Sequence, residues 1–117
     1  MQRPAIERAI PKRRYHIGTF GAVILGEVES GDDHAYRHIL ALVPEGDSDP
    51  ILYVTAEELA EPGPDGQRMV VRVVAEEGEK VLGPDDRWQE LDAFVDDALQ
   101  MVRRVMRLTD EEPVRLM

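Results

Sequence analysis

Apolar residues recur at steps of three and four between Asp85 and Leu108: Trp88, Leu91, Val95, Ala98, Leu99, Val102, Val105 and Met106. That spacing places side chains on one face of an α-helix. Asp85 and Asp86 at the start, and Arg103, Arg104 and Arg107 at the end, oppose the helix dipole at both termini. The pattern predicts one long amphipathic C-terminal helix. A second row, Phe94, Met101 and Leu108, widens its apolar arc to about half the circumference, more than one sheet contact requires.

Upstream the helical period disappears. Tyr15 to Val28 is rich in β-branched and aromatic residues and glycine, and predicts a first strand. Glu29 to His34 has turn chemistry. Ala35 to Val43 alternates as a second strand, with Tyr36, His38, Leu40 and Leu42 on one face and Arg37, Ile39, Ala41 and Val43 on the other. Pro44 to Pro50 closes it, because proline cannot donate to a ladder. Ile51 to Thr55 is a third strand. Thr55-Ala-Glu-Glu58 also matches a capping box, so a helical turn to Ala60 competes with a strand continuing to Leu59 and turning at Glu61 to Gly66. The strand is the preferred alternative. Gln67 to Ala75 is a fourth strand, with Met69, Val71, Val73 and Ala75 on one face, and Lys80 to Leu82 can add a few extended residues.

Short connections between strands favour antiparallel pairing, since parallel crossovers need a dozen or more residues. The expected fold class is α+β: an antiparallel four-stranded meander sheet packed by one long C-terminal helix. Residues 1–14 form a basic lead-in and 15–117 a single domain. Four strands spaced about 4.8 Å apart make a sheet roughly 19 Å wide, whereas a helix with its side chains is about 10 Å across. One helix cannot cover that sheet. Ala22-Val-Ile-Leu25 is moreover apolar toward both faces. A second copy of the chain is the expected cover, twofold pairing being the commonest form of oligomer. In the competing arrangement residues 1–14, with Ile6 and Ile10, fold over the bare face.

Charge narrows the partners. The chain of 117 residues carries a net charge of −10, distributed as +4 over residues 1–14, −15 over 15–102 and +1 over the remainder. So acidic a body repels a phosphate backbone, and nucleic acid is not expected as a partner despite Lys12-Arg13-Arg14. Without cysteine there is no disulfide framework, thiolate nucleophile or cysteine zinc site. No apolar run approaches the roughly 20 residues of a membrane helix, and residues 1–10 lack an apolar signal core. Neither a membrane partner nor secretion is expected, which leaves the cytoplasm.

The candidate chemistry is sparse. His34 and His38 have the spacing of a helical zinc pair, but in a strand residues four apart lie about 13 Å from each other. His34 with Glu29, Asp32 or Asp33 could make only an opportunistic loop site. Gly18-Thr-Phe-Gly21 lacks both nucleotide-loop spacings and reads as bulge or close-approach glycine. Glu45-Gly-Asp-Ser-Asp49 lacks the ligand series of a calcium hand. Ser30 and Ser48 sit in acidic turns, outside any nucleophile motif, and the paired carboxylates fall in turns or on the helix's polar face. No catalytic residue, cofactor or metal ligand is therefore assigned.

The function expected from these features is a small non-catalytic interaction or assembly module, working as a homodimer. Phe94, Met101 and Leu108 are its candidate contacts, with Trp88 as an anchor, since tryptophan is enriched at binding hot spots. The alternative is a small-molecule-binding domain or enzyme with a pocket between helix and sheet, lined by Tyr15, His16, Tyr36 and His38. In size, charge and expected architecture the chain also resembles the small acidic α+β dimers that act as bacterial secretion chaperones, a resemblance that implies partner binding.

Overall fold

The computed structural model describes residues 1–117. One antiparallel sheet holds seven strands: β1 (Ile6–Ile17), β2 (Phe20–Ser30), β3 (Ala35–Pro44), β4 (Leu52–Glu58), β5 (Met69–Ala75), β6 (Gly78–Leu82) and β7 (Val114–Arg115). They lie in the order β6-β5-β4-β3-β2-β1-β7, a meander closed at one end by the C-terminal pair of residues. The α+β class and the antiparallel sheet are as the sequence pattern predicts, but the strand number is seven rather than four.

The largest difference is in the segment expected as one strand from Tyr15 to Val28. It contains the end of β1, a two-residue turn and most of β2, with Ile17 opposite Phe20. Gly18 takes φ +59° at the first turn position, where a side chain would be strained, so this glycine is a hairpin residue rather than a bulge. The basic stretch 1–14 accordingly lies largely within β1. Pro11 and three register shifts interrupt that strand's pairing with β2, and such irregularity is tolerated near a sheet edge. Residues from Thr55 onward continue β4 to Glu58, and the preferred strand alternative holds there.

The C-terminal helix is shorter than its apolar pattern. A 3₁₀ turn at Asp86–Gln89, capped by the Asp85 carboxylate accepting from Arg87 N, precedes α1 (Leu91–Val105). Glu90 between them is extended, so Trp88 is presented by a separate turn. Arg107 adopts φ +55°, and Leu108 N donates to Arg103 O at 2.7 Å while Arg107 N donates to Arg104 O at 3.3 Å. This pair of bonds is a Schellman termination. It folds Leu108 back onto the apolar cluster although the three-four spacing runs on.

That main cluster joins Phe94, Val95, Ala98, Leu99 and Val102 of α1 with Ile17, Ile24, Leu40, Leu42, Val54 and Val71 of the strands. The opposite sheet face carries a smaller one, Ile39, Ala41, Tyr53 and Val74, with Met1, Ile6, Leu25, Val28 and Tyr36 packed on it. Ala22 to Leu25 is apolar toward both faces because both are covered. Part of the second cover is the strap Met1–Ala5. The Met1 side chain is only 1% exposed, and Arg3 reaches Pro50 O at 2.8 Å and lies over the Tyr53 ring.

Candidate functional site

The strap face of the sheet gathers the protein's densest polar network. Alternation along β4 sends Leu52, Val54 and Ala56 toward α1 and Tyr53, Thr55 and Glu57 to the strap side. Glu57 is therefore a carboxylate held against a sheet, with 4% exposure. Its Oε2 accepts from Thr55 Oγ1 at 2.7 Å and from Arg72 Nε at 2.9 Å. Its Oε1 lies 2.6 Å from His34 Nδ1. Arg72 also donates from Nη1 to Glu79 at 3.0 Å, and these carboxylates keep its guanidinium pKa raised, Glu57 contributing most.

Beside it the β2–β3 turn is organised by Asp32, which accepts from Ala5 N at 2.9 Å, His34 N at 3.0 Å and the Tyr36 hydroxyl at 2.9 Å. Burial alone would raise the Asp32 pKa, but the Ala5 and His34 amides and the Tyr36 hydroxyl together hold it below the usual carboxylate range. Burial, and then the hydrogen bond to Asp32, push the Tyr36 pKa up and keep its hydroxyl a donor. Asp32 thus ties the turn to the strap and to β3.

The four residues expected to line one pocket are divided between the two faces. Tyr15 belongs to the α1-side cluster. His16 points the other way, lining a recess with Arg14, Val23 and Val43. A register shift between Tyr36 and His38 breaks the alternation of β3, so Tyr36 packs on the strap side while His38 stacks on Phe94 at 5.3 Å between ring centroids. Of the four expected contact residues, Trp88 and Phe94 are buried in the core, the Trp88 indole donating to Asp97 at 2.8 Å. Met101 and Leu108 are partly buried against it. Glu57, Arg72 and the position of His34 beside them were not among the expected site residues. Alternation on a strand reading of Thr55 to Glu58 is the only local signal for Glu57.

His38 has a testable protonation behaviour. Its Nε2 meets the Gln89 carbonyl at 3.3 Å and so acts as the donor, leaving Nδ1 as an unprotonated, buried atom without a partner. Burial lowers the His38 pKa, with Arg37 and Lys12 acting in the same direction and the Gln89 carbonyl and Glu90 opposing. A depressed folded-state pKa means that this contribution to stability is full above the unfolded value of about 6.5 and is lost as pH falls through the folded one. The stability advantage of wild type over His38→Phe, from urea unfolding, should therefore be greater at about pH 7.5 than at about pH 5. An equal advantage at both would show that burial does not depress this histidine.

No family model, curated protein or solved structure matches this chain. No helix is long and apolar enough to cross a membrane.

Proposed function

We propose that the protein is a small non-catalytic interaction or assembly module of the cytoplasm that works as a homodimer. The observation that carries this reading is an apolar rim at the β6 end of the sheet. Val73, Leu82, Met101 and Val105 line, together with Lys80 and Arg104, a recess of about 240 Å³ between α1 and the last strands. Val105 is 48% exposed there. β6 has no strand on its outer side, and an unpaired edge beside exposed apolar surface is what a second copy would cover. Of the contacts expected from the sequence, Met101 lies at this rim and fits the reading best. The acidic surface supports a protein partner over nucleic acid.

Light scattering coupled to size exclusion tests it. Wild type should hold a dimer mass across a wide concentration range, and Val105→Glu or Met101→Glu should give a folded monomer. Val105→Glu is the cleaner variant, because a half-exposed position leaves the core intact. A constant monomer mass for wild type would sink the homodimer.

A further inference from the structure

Six large apolar side chains are exposed in this fold, and five of them form two patches. Val114, Leu116 and Met117 lie on the C-terminal segment, Val81 and Val105 at the β6 rim, and Ile10 midway along β1. The patches belong to opposite ends of the sheet. β7 pairs with Tyr15 and His16 of β1, and Leu116 N donates to Arg14 O at 2.8 Å, so the segment is held along β1 while the Leu116 side chain stays 65% exposed. Five strands separate β7 from β6, and six spacings of about 4.8 Å put the patches about 29 Å apart along the sheet. No residue of the segment lines the recess at the rim. A chain does not cover its own rim with its own tail.

The charges at the two patches are complementary. Lys80 and Arg104 line the recess with its four apolar residues, no acid does, and neither cation is in a salt bridge. In a chain with 24 acidic and 14 basic residues this is a local reversal of sign. The residues leading into the exposed segment are Asp110, Glu111 and Glu112, of which only Glu112 is in a salt bridge, with Arg103 at 3.7 Å. On the far side of Val105 the sign changes again, at Glu76 and Glu77. In the segment Arg115 follows the three acids, about 10 Å beyond Glu112 in an extended chain. Acid, apolar and base in the tail thus match base, apolar and acid at the rim.

We propose that the second copy covers the β6 rim with its C-terminal segment. Val114 and Leu116, two residues apart and so on one face of an extended chain, enter beside Val105, and Asp110 and Glu111 lie toward Lys80 and Arg104. The inference rests on the homodimer reading and names what that dimer inserts. A contact between unlike patches stops at two copies only when it is made twice about a twofold axis, and otherwise runs on into longer assemblies. Each copy therefore gives its tail and receives its partner's.

Solution masses of full-chain variants test the exchange. Leu116→Glu should raise the Kd for self-association at least about thirtyfold, the range of an interface hot spot, with its urea midpoint unchanged because the side chain is exposed. Val105→Glu should also be monomeric. An equimolar mixture of the two should regain a dimer mass, since one intact tail then meets one intact rim. A monomeric wild type overturns the homodimer reading and this inference with it. A Leu116→Glu protein that dimerises like wild type overturns the tail contact and leaves the homodimer standing. Two monomeric variants that fail to combine, or a wild-type mass that climbs past the dimer with concentration, overturn the reciprocal exchange. The charges have their own test: Lys80→Glu with Arg104→Glu should weaken the dimer, and adding Asp110→Lys with Glu111→Lys to the same chain should restore it. Failure to restore it overturns the charge pairing.

Discussion

Phe94→Ala should destabilise the protein by about 4 kcal/mol, within the range for removing a buried phenylalanine. Phe94 is fully buried, belongs to the cluster shared by α1 and the sheet, and carries the His38 ring on its face. Truncation removes the transfer energy of the ring and leaves a cavity that strands on one side and a helix on the other cannot both close. For a domain whose whole stability is about 5–15 kcal/mol, that loss lowers the melting temperature by roughly 20 °C. Gln100→Ala, on the exposed face of the same helix, should cost less than about 1 kcal/mol and serves as the comparison. Urea unfolding with an unchanged m-value reads both. A Phe94→Ala cost below about 1 kcal/mol would mean that the ring is not packed as described. The same burial makes Phe94 unsuitable as a probe of assembly, because a charge there would break the fold before it broke a dimer.

Which features were legible in the sequence follows from where their determinants lie. β3, β4, β5 and α1 are encoded locally: alternation places Met69, Val71 and Val73 on one face of β5, and the three-four spacing places Val95, Ala98, Leu99 and Val102 on one face of α1. The hairpin at Gly18 was hidden because the apolar run continues across it and because Pro11 and the basic residues of β1 mask a strand that needs only β2 for its pairing. The second row on α1 is surplus apolar surface only against a sheet four strands wide with one bare face. Seven strands, a covered second face and a Schellman turn absorb Phe94 and most of Leu108. The strap is tertiary information: nothing in Met1-Gln-Arg-Pro-Ala5 names Pro50, Tyr53 or Asp32 as partners. The Glu57 network is of the same kind, since His34 and Arg72 come from two other segments and meet Glu57 only once β3, β4 and β5 are in register.

Glu57→Ala should cost about 3 kcal/mol, because removing one partner of a buried ion pair leaves the other uncompensated. Arg72 is 24% exposed and would keep only Glu79, which is itself nearer solvent. Thr55 would lose the acceptor of its shortest bond and retain only the Arg72 carbonyl at 3.5 Å. The double replacement Glu57→Leu with Arg72→Leu removes both charges and fills the space, so it should recover most of that loss and fall within about 1 kcal/mol of wild type. If Glu57→Ala proves neutral, solvent reaches this face more freely than the geometry indicates. If the double replacement is as damaging as the single one, the pair itself supplies net stability. The expected pattern, a costly single change and a nearly neutral double one, assigns Glu57 little stability that an apolar pair would not give.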